Sequence, residues 1–169
     1  MLAHSKISIA PYQHQYAREI SDLYHISVQH INHERYSESQ LNAWSRSPRS
    51  AKHWDLRLKR SKAWVLLLTD EISHKNRCIG FINVETVFQR RGYIDSLYIH
   101  PDWQRQGWGE QLYRQLELWA KVQGYQRLMT DASYLSKGLF IKMGFTQAQR
   151  SYQQKSGQVL ASFYMIKNL

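Results

Sequence analysis

The feature that most constrains the fold is a glycine-containing loop, Pro101 to Gly109, between a strand-like and a helix-like segment. Tyr93 to His100 is rich in the aromatic and β-branched residues of strands, and residues 107–122 have apolar side chains at helical spacing. The first N–H groups of a helix have no partner within it, and the helix dipole adds roughly half a positive charge there. The junction is therefore predicted to bind an anion such as a phosphate group.

The loop reads Gln104-x-x-Gly107-x-Gly109, which differs from two common phosphate-binding motifs. A Walker loop has Lys and then Ser or Thr after the second glycine, and a dinucleotide fingerprint has a third glycine where Leu112 stands. Glycine accepts a positive φ and lets a diphosphate approach the backbone closely. The residues predicted to contact the anion are Gln104, Arg105, Gln106, Gly107, Trp108, Gly109 and Glu110.

The order of the predicted elements indicates an α/β domain. Helices are predicted over residues 14–32, 38–44, 51–60 and 107–122, with a last helix that begins at Ser133 or Ser136 and stops at Gly144. Strands are predicted over residues 6–10, 63–69, 78–87, 93–100, 127–130, 145–153 and 159–166. The second to fourth strands should form an antiparallel meander, the fifth should run parallel to the fourth, and the last two should form a hairpin.

Together these segments resemble the GNAT superfamily of N-acetyltransferases, whose acetyl-CoA loop reads Arg/Gln-x-x-Gly-x-Gly/Ala between a strand and a helix. Residues 94–101 resemble the family's central strand, and Ser136 to Phe145 resembles its second helix, which ends in Gly-Phe. The resemblance covers residues 62–145. It implies an α/β fold with a mixed, mostly antiparallel central sheet, splayed between strands four and five and flanked by four to five helices. Residues 1–169 are expected to form a single N-acetyltransferase domain.

The resemblance also implies which other residues contact acetyl-CoA, the expected cosubstrate. The backbone of Leu97, Tyr98 and Ile99 would hold the pantetheine arm, and one backbone N–H of this strand would stabilise the oxyanion. Ser133 occupies a position often held by a pantetheine-binding asparagine, and Lys142 would help to bind the coenzyme phosphates. The alternative is that Ser133 only caps a helix and that Lys142 is a solvated lysine.

One position departs from the family pattern. Many members read Phe-Tyr-Glu-Lys-x-Gly-Phe, in which the tyrosine protonates the departing sulfur, and Phe140 stands at that tyrosine position. Phe140 is thus assigned to the coenzyme site without an acid role. Either Tyr134 or Tyr98 supplies the proton, or the thiolate leaves unassisted, since a thiol with a pKa of about 8.5 is a fair leaving group.

Acetyl transfer to an amine also requires a proton acceptor. A lysine-like amine has a pKa of about 10.4, so only about one molecule in 10³ is neutral at pH 7. The first candidate for this base is Asp95, which lies in an otherwise apolar strand and is predicted to share a face with Leu97 and Ile99. The second candidate is Glu85, at the end of the preceding strand. The alternative for both carboxylates is a structural ion pair with one of the many arginines.

Acceptor choice in this family comes largely from the first helical pair. Here the segment Tyr36-Ser-x-x-Gln-x-x-Ala-Trp44 resembles a bacterial branch of the superfamily, and Tyr36 and Trp44 are predicted to line a pocket for a small-molecule or peptide amine. The alternative is that both aromatic residues belong to the core. No metal is expected, because the pair His30 and His33 has no third ligand at a suitable spacing.

The formal net charge of +10, from 23 Lys and Arg against 13 Asp and Glu, attracts polyanions in general. It leaves two alternatives to catalysis open: a basic nucleic-acid-binding module, and a domain that binds acyl-CoA with little or no turnover. The single cysteine, Cys78, and the absence of a signal-like or membrane-spanning apolar stretch predict a cytoplasmic protein without membrane contacts. The C-terminal hairpin makes a homodimer conceivable.

Overall fold

The computed structural model describes residues 5–169. The described α-helices are α1 (Ala17–Gln29), α2 (Glu38–Trp44), α3 (Ala51–Lys59), α4 (Trp108–Val122) and α5 (Lys137–Lys142). The described strands are β1 (Ser5–Pro11), β2 (Ser61–Asp70), β3 (Asn76–Glu85), β4 (Ile94–Ile99), β5 (Arg127–Ala132), β6 (Thr146–Lys155) and β7 (Gln158–Asn168). None of these helices is long and apolar enough to cross a membrane.

The strands form two antiparallel sheets that meet at one end only. The first is four-stranded in the order β1-β2-β3-β4, and the second is three-stranded in the order β5-β7-β6. An isolated parallel bridge between Tyr93 and Met129 joins them, and the Thr130 hydroxyl donates to the Ile94 carbonyl at 3.0 Å. Beyond this point β4 and β5 diverge. The predicted meander, parallel fifth strand, C-terminal hairpin and splay are all confirmed.

Helices cover both faces of the sheets because each face presents apolar side chains. α1 and α3 pack on one face around Ile20, Trp54 and Phe81. α4 and α5 pack on the other around Leu112, Leu116 and Phe140, and this is the larger of the two clusters. The splay therefore opens between two packed layers, and the first turn of α4 lies next to the C-terminal end of β4.

β4 contains a β-bulge at Asp95. Asn83 of β3 pairs with Ser96, but the next residue, Val84, pairs with Ile94, so Asp95 has no opposite residue. A bulge of this kind inserts one residue into a strand, bends it and changes the direction of the inserted side chain. Strict alternation of side chains therefore fails at this position.

The bulge overturns the predicted direction of the Asp95 side chain. Leu97 and Ile99 pack with the α4 cluster, as does Ile94. Asp95, by contrast, points to the opposite face and bonds Arg57 of α3. The expectation that Asp95 shares a face with Leu97 and Ile99 is wrong, because a period of two holds only in an uninterrupted strand.

Candidate active site

The loop before α4 has the geometry of an anion site. Gly107 caps α4 with a φ of 86°, and Arg105 also has a positive φ of 58°. The Gln104 side-chain amide donates to the Ile99 carbonyl at 2.9 Å, and that of Gln106 donates to the Asp102 carbonyl at 3.2 Å. These two bonds fix a turn whose backbone faces outward.

The backbone N–H groups of residues 105–110 are unpaired: no atom within residues 5–169 accepts a hydrogen bond from any of them. Several donors that converge at a helix N-terminus favour a phosphate-like anion. A Cβ on Gly107 would meet nothing within 4 Å, so the glycine is needed for its φ and for open access. Gly109 lies against Leu139 and Ile99, where a Cβ would make ordinary contact at 3.7 and 4.0 Å.

Charged side chains surround the loop. Glu110 accepts from Lys142 of α5 at 2.6 Å and from Arg114 at 2.7 Å, and these two hydrogen bonds lower the pKa of the Glu110 carboxyl. Lys142 is thereby held over the first turn of α4. Trp108 is half-buried against the α4 cluster, and its indole nitrogen is buried with no partner in the described part of the chain.

The backbone of β4 faces the splay at alternate residues. The Ile99 carbonyl accepts from Gln104 and, at 3.1 Å, from the Ser27 hydroxyl, so it points away from β3. Because the N–H and C=O of one strand residue point the same way, and every second residue repeats the direction, Leu97 also faces the opening. The Tyr98 side chain lies on the α1 side, where its hydroxyl accepts from the Trp44 indole at 3.2 Å.

Phe140 lies in the core rather than at the opening. Its side chain is 2% exposed, and its ring packs at 6.2 Å from Tyr113 and 5.0 Å from Phe145. Ser133 precedes α5, and its hydroxyl accepts from the backbone N–H groups of Leu135 and Ser136 at 3.2 Å. These bonds close the turn before α5, whose capping residue is Ser136 and has no side-chain capping bond.

Tyr134 and the two predicted acceptor residues form one aromatic group. The Tyr36 hydroxyl accepts from the Tyr134 backbone N–H at 3.1 Å, and the Tyr36 ring lies 5.5 Å from Trp44 and 5.8 Å from Tyr134. The Tyr134 hydroxyl accepts from Arg150 at 2.7 Å. Tyr36 is buried and Trp44 is half-buried, so only Trp44 has a large accessible face.

Two predicted carboxylates lie near each other on the α3 side of the sheet. Asp95 accepts from two nitrogens of Arg57, at 2.8 and 2.5 Å, and its side chain is 14% exposed. The pKa of Glu85 is raised, first by burial and then by the negative charge of Asp95. The ion-pair alternative therefore applies to Asp95, whereas Glu85 binds a proton more readily than an exposed glutamate does.

A cleft of about 540 Å³ opens beside Arg57, between the α2–α3 segment and the tip of the β6–β7 hairpin. Its apolar wall consists of Tyr24, Trp44 and Trp54. The remaining side chains include the basic residues Arg46, Arg49, His53, Arg57 and Lys155. The sequence does not predict this cluster of basic residues, because nothing local indicates that residue 155 lies beside residue 57.

Metal binding has no support in the described residues. Within residues 5–169, no group of three His, Cys, Asp or Glu side chains is arranged to hold an ion. Cys78 is buried, and burial raises the pKa of its thiol to about 12, so it is a poor nucleophile at neutral pH.

A split sheet with an anion-binding helix N-terminus at its opening defines a class of acyl-transferring proteins. The chain belongs to the acetyltransferase (GNAT) family, whose model matches residues 27–145. The chain is 25% identical over 161 residues to an uncharacterized N-acetyltransferase, YafP, of Escherichia coli K12, with 95% of each chain covered.

Two solved structures extend the comparison. A GCN5-related N-acetyltransferase from Rhodopseudomonas palustris superimposes with a TM-score of 0.83 at 25% identity, over 100% of this chain and 99% of the other. The acetyltransferase YncA from Salmonella typhimurium, solved with acetyl-CoA, gives a TM-score of 0.69 at 18% identity, over 96% and 93% of the two chains. The resemblance inferred from the loop motif is confirmed at the level of family and fold.

Proposed function

We propose that the protein transfers an acetyl group from acetyl-CoA directly to a primary amine while both substrates are bound. The single observation that supports this best is the row of unpaired N–H groups over residues 105–110, at the open end of the splay. A compact diphosphate matches such a row better than a long polymer does. Direct transfer is favoured because the described residues offer no activated nucleophile, Cys78 being buried and protonated.

The coenzyme would enter between β4 and β5. The 105–110 backbone, with Arg105, Gln104 and Lys142 nearby, would bind the diphosphate. The pantetheine arm would pair with the outward-facing backbone of Leu97 and with the N–H group of Ile99, as an added strand does; the Ile99 carbonyl already accepts from Gln104 and Ser27. A backbone N–H of β4 would then stabilise the charge on the carbonyl oxygen, and such a preorganised donor contributes about 3 to 4 kcal/mol of barrier reduction.

The proton of the attacking ammonium would pass to Glu85, directly or through water. A base is most effective when its pKa approaches that of its partner, and burial raises the pKa of Glu85 in that direction. Asp95 would hold Arg57 in place and maintain the negative field that favours a proton on Glu85. Asp95, the first candidate from sequence, thus becomes a positioning residue in this proposal.

The sequence offers two hydroxyls as proton donors to the departing thiolate, those of Tyr134 and Tyr98. The Phe140 side chain has no hydroxyl and is buried in the core. The Tyr134 hydroxyl is the better candidate, because it accepts from the positively charged Arg150, whereas the Tyr98 hydroxyl accepts from the neutral Trp44 indole. Tyr134 would donate a proton to sulfur as the C–S bond breaks, and Arg150 would support the resulting negative oxygen.

The proposal is tested by calorimetric titration with acetyl-CoA of the natural protein and of Gly107→Asp. The substitution places a carboxylate at the anion site and a side chain on a residue with φ of 86°, so we expect coenzyme affinity to fall at least about 100-fold with the fold retained. Gly124→Asp is the matched control, because Gly124 also has a positive φ, 74°, and open space around it.

Unchanged affinity in Gly107→Asp would contradict the assignment of the loop. Saturable one-to-one binding, with release of free thiol when amines are added, would support acetyl transfer. Binding without thiol release for any amine would favour a coenzyme-binding domain that does not turn over. Failure to bind acetyl-CoA, with salt-sensitive binding of random single-stranded RNA instead, would favour the nucleic-acid alternative.

A further inference from the structure

The cleft beside Arg57 contains more positive than negative charge. Arg46 and Arg49 enter from the α2–α3 segment, and Lys155 enters from the β6–β7 hairpin. Asp95 neutralises Arg57, but none of the ion pairs within residues 5–169 involves Arg46, Arg49 or Lys155. Cations that converge from separate elements without acidic partners are an anion-binding arrangement.

The cations of this cleft lie close enough to repel one another. The pKa of Lys155 is lowered, first by burial and then by the positive charges of Arg57 and Arg49. The pKa of His53 is lowered by burial, Arg49 and Arg57 in the same way. An anion bound among them would relieve the repulsion, and the half-buried position of Lys155 strengthens its interaction with such a group.

The cleft also has a wall suited to an apolar body. The Tyr24 ring lies 5.0 Å from Trp54 and 4.7 Å from Tyr98, and Trp44 completes this side. Its volume of about 540 Å³ is within the range for small-molecule sites, roughly 300 to 1,000 Å³. Arg57 leads from this cleft to Asp95, and Asp95 is close enough to raise the pKa of Glu85.

We propose that the acceptor amine carries an oxyanion group, a carboxylate or a phosphate, which binds among Arg46, Arg49 and Lys155. Its amine then points past Arg57 toward Asp95 and Glu85, where the ammonium form is attracted and its proton is removed. The inference rests on the proposed acetyl transfer and narrows its substrate. It disfavours diamines and polyamines, whose second cation would face the basic side of the cleft.

The experiment measures thiol release from acetyl-CoA with matched acceptors. L-Phenylalanine is compared with L-phenylalaninamide, and phosphoethanolamine with ethanolamine, while cadaverine serves as a dication. We expect kcat/KM at least tenfold higher for the anionic member of at least one pair. The pair with the larger ratio of kcat/KM values shows whether the cleft prefers a carboxylate or a phosphate group. The α-amino group of L-phenylalaninamide is a weaker base than that of L-phenylalanine, so a larger fraction of it is the reactive neutral amine. This difference alone would favour the amide, so a preference for L-phenylalanine cannot come from amine basicity.

Three variants connect the preference to the cleft. Arg49→Gln and Lys155→Gln should each raise KM for the preferred anionic acceptor about tenfold or more, with KM for acetyl-CoA unchanged, because a charge-assisted contact is lost. Lys52→Gln is the control: it removes one exposed charge from the same helix as Arg57 but lies outside the cleft.

The outcomes separate this inference from the proposed function. A preference for the uncharged acceptors or for cadaverine would overturn the inference while acetyl transfer stands. A preference for anionic acceptors that persists in both Arg49→Gln and Lys155→Gln would overturn it as well. If no acceptor is acetylated, binding of the same acceptors to the coenzyme A-saturated protein is measured by calorimetric titration. Binding of the anionic acceptor of a pair without binding of its uncharged counterpart supports the inference, and binding of neither acceptor overturns it. Absence of acetyl-CoA binding would instead overturn the proposed function.

Discussion

Glu85 is a partly buried carboxylate whose pKa is higher than that of an exposed glutamate. Burial and the neighbouring Asp95 raise its pKa, so it is protonated, and inactive as a base, at a higher pH than an exposed glutamate. We predict that Glu85→Gln lowers kcat/KM roughly 10²- to 10⁴-fold near neutral pH. The deficit should narrow as the pH rises toward the pKa of the amine, where neutral amine exists without a base. Measuring kcat/KM against pH for both proteins checks this.

Glu71→Gln provides the control, since Glu71 is exposed in the turn between β2 and β3. A deficit that stays constant across the pH range would mean that Glu85 acts through structure and not as a proton acceptor. From sequence, Glu85 and Asp95 were identifiable as carboxylates in apolar strands. Their ranking was not, because it depends on Arg57, which is distant from both in sequence and donates its hydrogen bonds to Asp95.

At the scale of elements, the Glu117 carboxylate of α4 forms an ion pair with the second sheet. Glu117 accepts from Lys167 of β7 at 2.8 Å and from Lys121 at 2.7 Å. Burial alone would raise its pKa, but these hydrogen bonds lower it to about 2. The ion pairs thus contribute full stability above the ordinary value of 4.5, and the contribution is lost as the pH falls from 4.5 to about 2.

We therefore predict that the free energy of unfolding falls more steeply below pH 4.5 in the natural protein than in Glu117→Gln, by at most about 3 kcal/mol. Urea unfolding at several pH values measures the difference. Asp22→Asn removes an exposed ion pair with Arg18 and should leave the slope unchanged. Equal slopes for the natural protein and Glu117→Gln would show that Glu117 does not link α4 to β7.

The elements themselves were largely predictable, because their limits depend on local signals. Ser37 forms a capping box with Gln40 at the start of α2, and Gly124 follows the end of α4 with a φ of 74°. The bulge at Asp95 was not predictable. It arises from the pairing of β4 with β3, and a single sequence contains no record of that register.

At the scale of the whole molecule, the two sheets are joined at one end. The Tyr93–Met129 bridge closes that end, and the Tyr93 hydroxyl donates to Asp131 at 2.7 Å. We predict that saturating acetyl-CoA slows amide hydrogen exchange at Leu97, Ile99 and residues 105–110. It should also add about 2.7 kcal/mol to the free energy of unfolding at a concentration 100-fold above Kd.

Exchange in β1 is the internal reference, since β1 lies at the opposite edge of the first sheet. Protection spread evenly over the chain, with none concentrated in β4 and the loop, would contradict entry of the coenzyme at the splay. The splay itself followed from the family resemblance alone. The cleft beside Arg57 did not, because residues 44–57 and 154–156 meet only through the packing of a hairpin against a helical pair.

That cleft and the coenzyme loop come from different stretches of the chain. The groups proposed to hold the coenzyme fall between residues 97 and 142, whereas the cleft draws on residues 24–57 and the hairpin tip at 154–156. Surface segments can change in length and composition at little cost to the scaffold. The two segments can therefore diverge, by natural variation or by grafting, so that one unchanged acetyl-donating framework acquires a new acceptor.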